Sequence, residues 1–317
     1  MWYITFHGGD DGVNDVHAYD DSGELVVKHV LPKRPPRREL RGIGFGPDGY
    51  LYVVNGYKKY SQILRYEGKP CEGCHCFVDV FASKHTVDAL IHPFSFAFDP
   101  FGYCYVTSQD TNVTTRLSQA GRPKPIAPYL AQTYPHNQLL DGTFVASSSG
   151  RLPEVPSASP GVEPPQGLEV TVESGKVSHS VRDVLIYSDR LFVADEPGNA
   201  VKIYDRRSGE LAAKIADDNL LAAPVHLLAR KDNIYIGSTG TKAVLRYAIA
   251  SGTLHKFIEG LESPSGMTFG RDGCFYVESR KDRCVLKYDE KGNYIDKLIK
   301  DLPDEPEFLL HVPDAAR

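Results

Sequence analysis

The sequence contains little that favours helices or membrane insertion. Of its 317 residues only two are Met and one is Trp, whereas 28 are Gly and 18 are Tyr, a balance that suits strands and turns better than helices. No apolar run is long enough to span a membrane. The N-terminal MWYITFHGGDD lacks the basic region and apolar segment of a signal peptide. We therefore expect a cytoplasmic protein that does not associate with membranes.

Several common catalytic motifs are also missing. The sequence has no Gly-x-Ser-x-Gly elbow, phosphate-binding loop, dinucleotide fingerprint or His-Glu-x-x-His pair. Its formal net charge of −5 argues against a general nucleic-acid surface, which requires an excess of cations. We therefore expect a small-molecule ligand, with a protein partner as a further possibility, and no nucleotide cofactor.

The feature that dominates the sequence is a hairpin repeat of two apolar strands joined by a turn that usually contains Gly. A clear copy reads VKIYDRRSGELAAKI. A period of about 40 to 50 residues built from such hairpins is typical of a β-propeller. Seven copies begin at Val16, Ile63, Thr115, Leu168, Val201, Val244 and Val285.

A second hairpin alternates with the first and has Asp-Gly or a similar pair at its tight turn. The chain termini PEFLLHV, from Pro306, and MWYITF, from Met1, resemble its two separated strands. We predict one all-β domain over residues 1–317, a seven-bladed β-propeller with four-stranded blades. The C-terminal strand would close the ring by pairing with the N-terminal strands. A six-bladed ring is the alternative and would omit Gln138–Val181. Complete copies of the second hairpin begin at Arg41, His92, Gln138, Arg182, Val225 and Ser265.

Two segments carry a more specific resemblance. DEPGNAVKIYDRRSGE from Asp195 and SPSGMTFGRDGCFYVE from Ser263 resemble the repeat of the NHL-type propeller superfamily, which includes streptogramin lyases and the gluconolactonase group. The resemblance implies a small-molecule site at the channel mouth, often with a divalent metal. The Pro-Asn-Gly metal-binding motif of the gluconolactonase group is Pro264-Ser265-Gly266 here. The Asn that binds the metal in that group is therefore replaced by Ser265. We expect either no cofactor or a divalent metal ion in the channel.

Alignment of the blades on their turns brings one position from each blade to the channel mouth. Two arginines there could hold a carboxylate, and a histidine beside them could move a proton. The alternative is that the arginines only neutralise nearby acids such as Glu307 and Asp183. The predicted catalytic residues are His92, His136, His226 and Glu307, and the predicted substrate-binding residues are Arg41, Phe94, Tyr134 and Arg182.

The cysteines suggest a second, weaker site. CEGCHC places Cys71, Cys74 and Cys76 with His75 at the tip of one hairpin, and this composition matches a zinc site. An exposed turn with free thiols or a local disulfide is the alternative interpretation. No other cysteine pair lies nearby in the sequence.

Two functional hypotheses follow from these features. The first is a small-molecule enzyme of lyase, hydrolase or cyclase type that uses acid–base groups on a polar or anionic ligand at the channel mouth. The second is a non-catalytic scaffold that presents two irregular loops to a protein. These are the Pro- and Arg-rich residues 31–41 and the Pro- and Ser-rich residues 147–166, since long loops in compact folds are often functional.

Overall fold

The computed structural model describes residues 1–8, 13–71, 73–117, 130–133, 144–147, 180–207 and 209–312. These residues form 25 strands in six sheets. No helix occurs in the described ranges, so none of sufficient length and hydrophobicity to cross a membrane is found there.

Each of the six sheets is one blade of a propeller. The first blade contains the C-terminal β25 (Pro306–His311) as its innermost strand, followed by β1 (Trp2–Phe6), β2 (Val16–Tyr19) and β3 (Leu25–Val27). The second blade contains β4 (Leu40–Phe45), β5 (Leu51–Asn55), β6 (Gln62–Tyr66) and β7 (Phe77–Ser83). The third contains β8 (Pro93–Phe98), β9 (Cys104–Ser108), β10 (Val113–Leu117), β11 (Leu130–Thr133) and β12 (Phe144–Ser147).

The other three blades are regular four-stranded sheets. The fourth contains β13 (Val181–Tyr187), β14 (Arg190–Asp195), β15 (Ala200–Asp205) and β16 (Leu211–Ile215). The fifth contains β17 (Pro224–Arg230), β18 (Asn233–Ser238), β19 (Ala243–Ala248) and β20 (Thr253–Glu259). The sixth contains β21 (Pro264–Phe269), β22 (Phe275–Ser279), β23 (Cys284–Tyr288) and β24 (Tyr294–Ile299).

Tight turns between the first two strands of a blade follow the Asp-Gly pattern seen in the sequence. Gly49 has φ of +81° and Gly273 has φ of +79°, a conformation that Gly adopts without steric cost. The preceding aspartates accept hydrogen bonds from tyrosines in the next strand. Tyr52 Oη lies 2.6 Å from Asp48 Oδ2, and the corresponding distance from Tyr276 to Asp272 is 2.7 Å. The same turn chemistry therefore sets the hairpin register in separate blades.

The two chain ends close the ring as predicted. Strand β25 pairs antiparallel with β1, with Trp2 opposite His311 and Thr5 opposite Phe308. The side chains of Trp2 and Leu309 are buried in one hydrophobic cluster with Tyr276 of the sixth blade. The closure therefore removes an open strand edge and also completes the core between the first and sixth blades.

The predicted number of seven blades is wrong, because the structure has six. Contacts between innermost strands run from β4 to β8, β13, β17, β21 and β25, and β25 contacts β4 again. The ring is therefore complete without the blade predicted to start near Tyr134.

The extra blade was predicted from Gln138–Val181, which contains the hairpin copies that begin at Gln138 and Leu168. Strand β12, in the copy from Gln138, pairs in parallel with β11, with Leu130 opposite Phe144, whereas a propeller hairpin requires an antiparallel pair. Strand β11 is the fourth strand of the third blade, and β12 is a fifth strand at its outer edge. A strand-like sequence pattern does not specify which strand it pairs with. Here β12 pairs with β11 at the edge of the third blade. The hairpin copy from Leu168 lies outside the described residues.

Deletion of residues 306–317 tests the closure. We expect the midpoint of thermal unfolding to fall by well over about 4 °C, because the deletion exposes an edge of β1 and opens the cluster around Trp2. For comparison, a loss of about 1 kcal/mol lowers the midpoint of a large domain by roughly 2–4 °C. Differential scanning calorimetry measures the midpoint. Deletion of residues 313–317 alone, which retains β25, is the control. Equal midpoints for the two truncations would contradict the closure argument.

Candidate functional site at the channel mouth

A β-bulge occurs near the start of every innermost strand. Pairing is interrupted between Leu40 and Ile43, Pro93 and Phe96, Val181 and Val184, Pro224 and His226, and Pro264 and Met267, and the register also shifts where β25 meets β1. Bulges redirect side chains and are frequent beside functional sites. The second residue of each strand lies in its bulge, and this set consists of Arg41, Phe94, Arg182, Val225, Ser265 and Glu307.

The innermost strands approach closely at the bulges, which explains two glycines. A Cβ on Gly266 would lie 2.3 Å from the backbone nitrogen of Leu309. A Cβ on Gly42 would lie 3.1 Å from the Cα of Ser95. Gly266 therefore cannot carry a side chain without movement of the backbone, and Gly42 is tightly packed. Neighbouring blades therefore meet backbone to backbone at these points, and this brings the second residues of the strands together.

Glu307 is the centre of a buried ion cluster. Its Oε1 lies 3.1 Å from Arg41 Nη1, and its Oε2 lies 3.2 Å from Arg280 Nη2. The side chains of Glu307 and Arg41 are only 2% and 4% exposed. Although burial alone would raise the pKa of Glu307, the charges of Arg280 and Arg41 lower it to about 2. Glu307 is therefore an ionised counter-charge for two arginines at neutral pH.

Phe94 links two arginines at the mouth. The guanidinium carbons of Arg41 and Arg182 each lie 5.2 Å from the centroid of its ring, within the range of a cation–π contact. Arg182 also forms an ion pair with Glu196, with Nη2 2.7 Å from Oε2. The side chains of Arg182 and Glu196 are 22% and 24% exposed, so this pair is accessible to a ligand, unlike the pair of Arg41 and Glu307.

His92 lies in the same charged network, with both ring nitrogens in use. Arg41 Nη2 lies 3.0 Å from His92 Nε2, and His92 Nδ1 lies 2.9 Å from Asp110 Oδ1. Burial lowers the pKa of His92, but its contacts with Asp110 and Glu39 outweigh this effect and raise it. In the neutral form Nδ1 donates to Asp110 and Nε2 accepts from Arg41. These contacts hold His92 in place and occupy the nitrogens that proton transfer would need.

His226 differs from His92 because its Nε2 is buried and has no hydrogen-bond partner among the described residues. Burial lowers the pKa of His226 to about 3, so the ring is neutral near pH 7. Its Nδ1 lies 4.0 Å from Asp183 Oδ2. The ring packs against Phe308 and Phe94 at centroid distances of 4.5 and 5.5 Å.

The Asp183 carboxylate is held by groups from three consecutive blades. It accepts hydrogen bonds from Ser95 Oγ in the third blade, Val184 N in the fourth and Leu227 N in the fifth, at 2.5, 2.8 and 2.9 Å. Burial raises the pKa of Asp183 to about 6 in spite of these bonds. The carboxylate is therefore mostly ionised at pH 7, where it can stabilise a proton on His226.

A small pocket opens beside these groups. The space that the centres of water-sized molecules can occupy is about 80 Å³, which admits a few waters or one small polar group of a larger ligand. Charged and polar groups from four blades form most of its lining, and Val225 and Pro264 are its apolar residues. The lining residues are Arg182, Glu196, Val225, His226, Thr239, Ser263, Pro264, Ser265, Arg280 and Glu307.

The structure brings most of the predicted site residues together. Tyr134 and His136 lie outside the described residues. Arg41 pairs with Glu307, as the alternative interpretation expected, whereas Arg182 pairs with Glu196 and not with Asp183. The predicted residues found at the mouth are Arg41, His92, Phe94, Arg182, His226 and Glu307.

Sequence reasoning missed Arg280 as a member of the site. Arg280 directly follows the last residue of β22, just as Glu196 follows β14 and Thr239 follows β18. The same count from the tight turn that reaches Glu196 and Thr239 reaches Ser279 in the sixth blade. An alignment on strand ends, one residue further along, would have found the Arg280 side chain that contacts Glu307.

A divalent metal does not fit the described part of the mouth. No group of three or more potential ligands from His, Cys, Asp and Glu occurs among the described residues. The oxygens of Glu307 already face Arg41 and Arg280, whose charges would repel a cation.

The cysteine hairpin is not arranged as the predicted zinc site. Cys71 and Cys76 form a disulfide, which agrees with the local-disulfide alternative. His75 is buried, with Nε2 3.0 Å from Tyr3 Oη and Nδ1 2.6 Å from the Glu67 carbonyl oxygen. Its two ring nitrogens are thus engaged, and only the Cys74 thiol of this group is free.

Comparison with known proteins identifies the fold. No protein-family model and no curated protein matches the sequence. Streptogramin B lyase is 13% identical with a TM-score of 0.52, over 85% of this chain and 72% of that one. Virginiamycin B lyase from Staphylococcus aureus is 14% identical with a TM-score of 0.54, over 93% and 83%. A chain of the nidogen–laminin complex is 13% identical with a TM-score of 0.63, over 97% and 96%.

These similarities show a shared β-propeller fold. The solved structures include lyases and a component of a protein complex, so the shared fold does not select an activity.

Replacement of Glu307 by Gln tests the ion cluster. The pKa of Glu307 in the folded protein, about 2, lies below the ordinary value of 4.5. The stability that ionised Glu307 contributes is therefore fully present above pH 4.5 and is lost as the pH falls towards 2. We expect E307Q to lower the free energy of unfolding by about 3–5 kcal/mol at pH 7, the cost of removing one partner from a buried pair. Urea unfolding between pH 7 and pH 2.5 should show this difference narrowing below pH 4.5.

The matched control is E305Q, since Glu305 contacts the same Arg280 from a more exposed position. Its effect should stay below about 1 kcal/mol. Equal losses in the two variants at pH 7 would contradict a special role for Glu307.

Proposed function

We propose that the protein is a small-molecule enzyme that binds a ligand with a carboxylate or similar anionic group in the channel-mouth pocket and acts on it by acid–base chemistry. The observation that carries the proposal is the buried, unpartnered Nε2 of a neutral His226 in a pocket that also contains two partly exposed arginines, Arg182 and Arg280. The reaction class is that of a lyase, hydrolase or cyclase.

Two arginines provide the binding part of the proposal. Arginine has five N–H donors, and Arg182 uses only Nε and Nη2 on Glu196. Its guanidinium carbon also lies 5.2 Å from the centroid of the Phe94 ring, so contacts with Glu196 and Phe94 position the side chain before a ligand arrives. Arg280 is fixed between Glu305 and Glu307. An anion that bridges these side chains would meet positioned donors, and little conformational entropy would be lost on binding.

His226 provides the proton-transfer part. A ring with a pKa of about 3 is a weak base in the empty pocket. An anionic ligand beside Nε2 would favour the protonated ring and raise this pKa, as an opposite charge does. Asp183, 4.0 Å from Nδ1, would stabilise the imidazolium that forms. Ligand binding itself would therefore make His226 a better base, so that proton transfer is coupled to the presence of substrate.

The described residues give less support to the scaffold hypothesis. In its basic loop, Arg37 is buried and bonded to Asp15 at 2.6 Å, and Arg41 belongs to the ion cluster. Arg38 lies 5.1 Å from the centroid of the Tyr57 ring. Arg37 and Arg41 are therefore committed to contacts within the fold, whereas Lys33, Arg34 and Arg38 are exposed. Residues 148–166 of the second loop lie outside the described residues.

Binding of small carboxylates tests the proposal. The probes are acetate, succinate, citrate and N-acetylglycine, with their methyl esters as uncharged controls, and the readout is isothermal titration calorimetry. We expect at least one carboxylate to bind more tightly than its ester. R182A should then weaken it by about 1.5–3 kcal/mol, the value of a hydrogen bond to a charged group, or roughly 10- to 150-fold.

R190A is the matched control, because Arg190 is an arginine of the same blade paired with Asp205 at an exposed position. It should leave the affinity unchanged. Absence of carboxylate binding, or equal affinities for R182A and the unaltered protein, would reject the anion site and favour the scaffold.

The response of His226 to ligand is a separate prediction. Nitrogen-15 NMR titration of labelled histidine, assigned with H226Q, should give a pKa near 3 for His226 in the free protein. A saturating carboxylate should raise this pKa by at least one unit, since a new adjacent anion stabilises the imidazolium. An unchanged pKa in the complex would exclude a ligand beside Nε2, even if the anion binds at the arginines.

A further inference from the structure

The hairpin tip between β6 and β7 contains a second group of reactive side chains. Cys71 and Cys76 form a disulfide, and Cys74 between them carries a free thiol. Cys76 is exposed, whereas Cys71 and Cys74 are half-buried. None of these residues lines the channel-mouth pocket, so any activity of this tip is independent of the function proposed above.

Cys71 faces two potential partners. Its backbone pairs with Cys74 as an isolated antiparallel bridge, with mutual N–H to carbonyl bonds of 2.7 and 3.1 Å. Residues paired in this way have Cα atoms about 5.5 Å apart, which lies within the range of about 4.4–6.8 Å that disulfides require. The Cα atoms of Cys71 and Cys76 are 6.2 Å apart. Either cysteine can therefore bond to Cys71 without a large backbone movement.

His75 anchors the backbone between Cys74 and Cys76, the two cysteines that could bond to Cys71. Its side chain is buried and hydrogen-bonded to Tyr3 and Glu67, and its backbone nitrogen donates to the Val30 carbonyl oxygen at 2.8 Å. His75 is buried, whereas Cys74 on one side of it is half-buried and Cys76 on the other is exposed. Both cysteines are therefore nearer the surface than His75, and the disulfide to Cys76 and the backbone pairing with Cys74 bring both close to Cys71.

We propose that the tip is a thiol–disulfide exchange site for small-molecule disulfides. The Cys74 thiolate attacks Cys71 Sγ, a Cys71–Cys74 disulfide forms, and Cys76 leaves as a thiolate. This step has no net oxidation and needs only the loss of the Cys74 proton to solvent. The exchange moves the free thiol from a half-buried to an exposed position. The Cys76 thiolate then attacks a small-molecule disulfide, forms a mixed disulfide and releases one thiolate.

Reaction of the full-length oxidised protein with glutathione disulfide, free of glutathione, tests the proposal. After an acid quench, tandem mass spectrometry of the tryptic peptide spanning residues 66–84 locates the adduct. We expect adducts at both Cys74 and Cys76, with the Cys76 adduct increasing about tenfold in rate per pH unit below the thiol pKa, because the thiolate is the nucleophile. In C74S the Cys76 adduct should be lost.

C274S is the control, because Cys274 is another partly exposed free thiol outside this hairpin. It should leave the Cys76 adduct unchanged. Thermal unfolding checks that C74S retains the fold. An adduct at Cys74 alone in the unaltered protein, or an adduct at Cys76 in folded C74S, would overturn the exchange mechanism.

Discussion

The close approach of six innermost strands around one axis is the constraint on which the rest of the structure depends. Parallel neighbours at the axis leave no room for a side chain at Gly266, where the backbone of Leu309 is in contact. The strands respond with a bulge at the same depth in each blade. Each bulge turns the second residue of its strand towards its counterparts, and polar groups separated by up to 266 residues, such as Arg41 and Glu307, become direct partners.

This convergence brings several charged side chains close together at the channel mouth, and their burial differs from one ion pair to the next. The deepest arginine, Arg41, shares the buried Glu307 with Arg280, whereas Arg182 has a partner that water can reach. Desolvated charges must be paired, so the buried Arg41 and Glu307 are committed to structure. A ligand can compete for donors at Arg182 and Arg280, whose side chains are partly exposed. His226 is neutral and lies next to the carboxylate of Asp183.

The sequence pattern was a reliable guide where local chemistry decides the structure. Asp-Gly turns identify the hairpins, and alignment on them places Arg41, Phe94 and Arg182 at equivalent depths. It failed where the choice of partner decides, because Phe144–Ser147 has a strand pattern but pairs in parallel with the edge of an existing blade. The contact between Arg280 and Glu307 was missed for a related reason, since turn-based counting drifts by one residue at the far end of a strand. Burial effects such as the low pKa of His226 depend on neighbours from several blades, which no local pattern specifies.

The position of the bulge residues on strands, and not on loops, has a consequence for how such a protein can change. In the blades beside the pocket, the side chain at the second strand residue can be exchanged while the register on either side is held by ladder pairing, as at Pro224 and His226. The ring then acts as a fixed frame in which the second strand residues outside the buried pair of Arg41 and Glu307 can vary. New ligand preferences can arise from combinations of single substitutions, and the connecting segments can lengthen or shorten without altering the geometry at the axis.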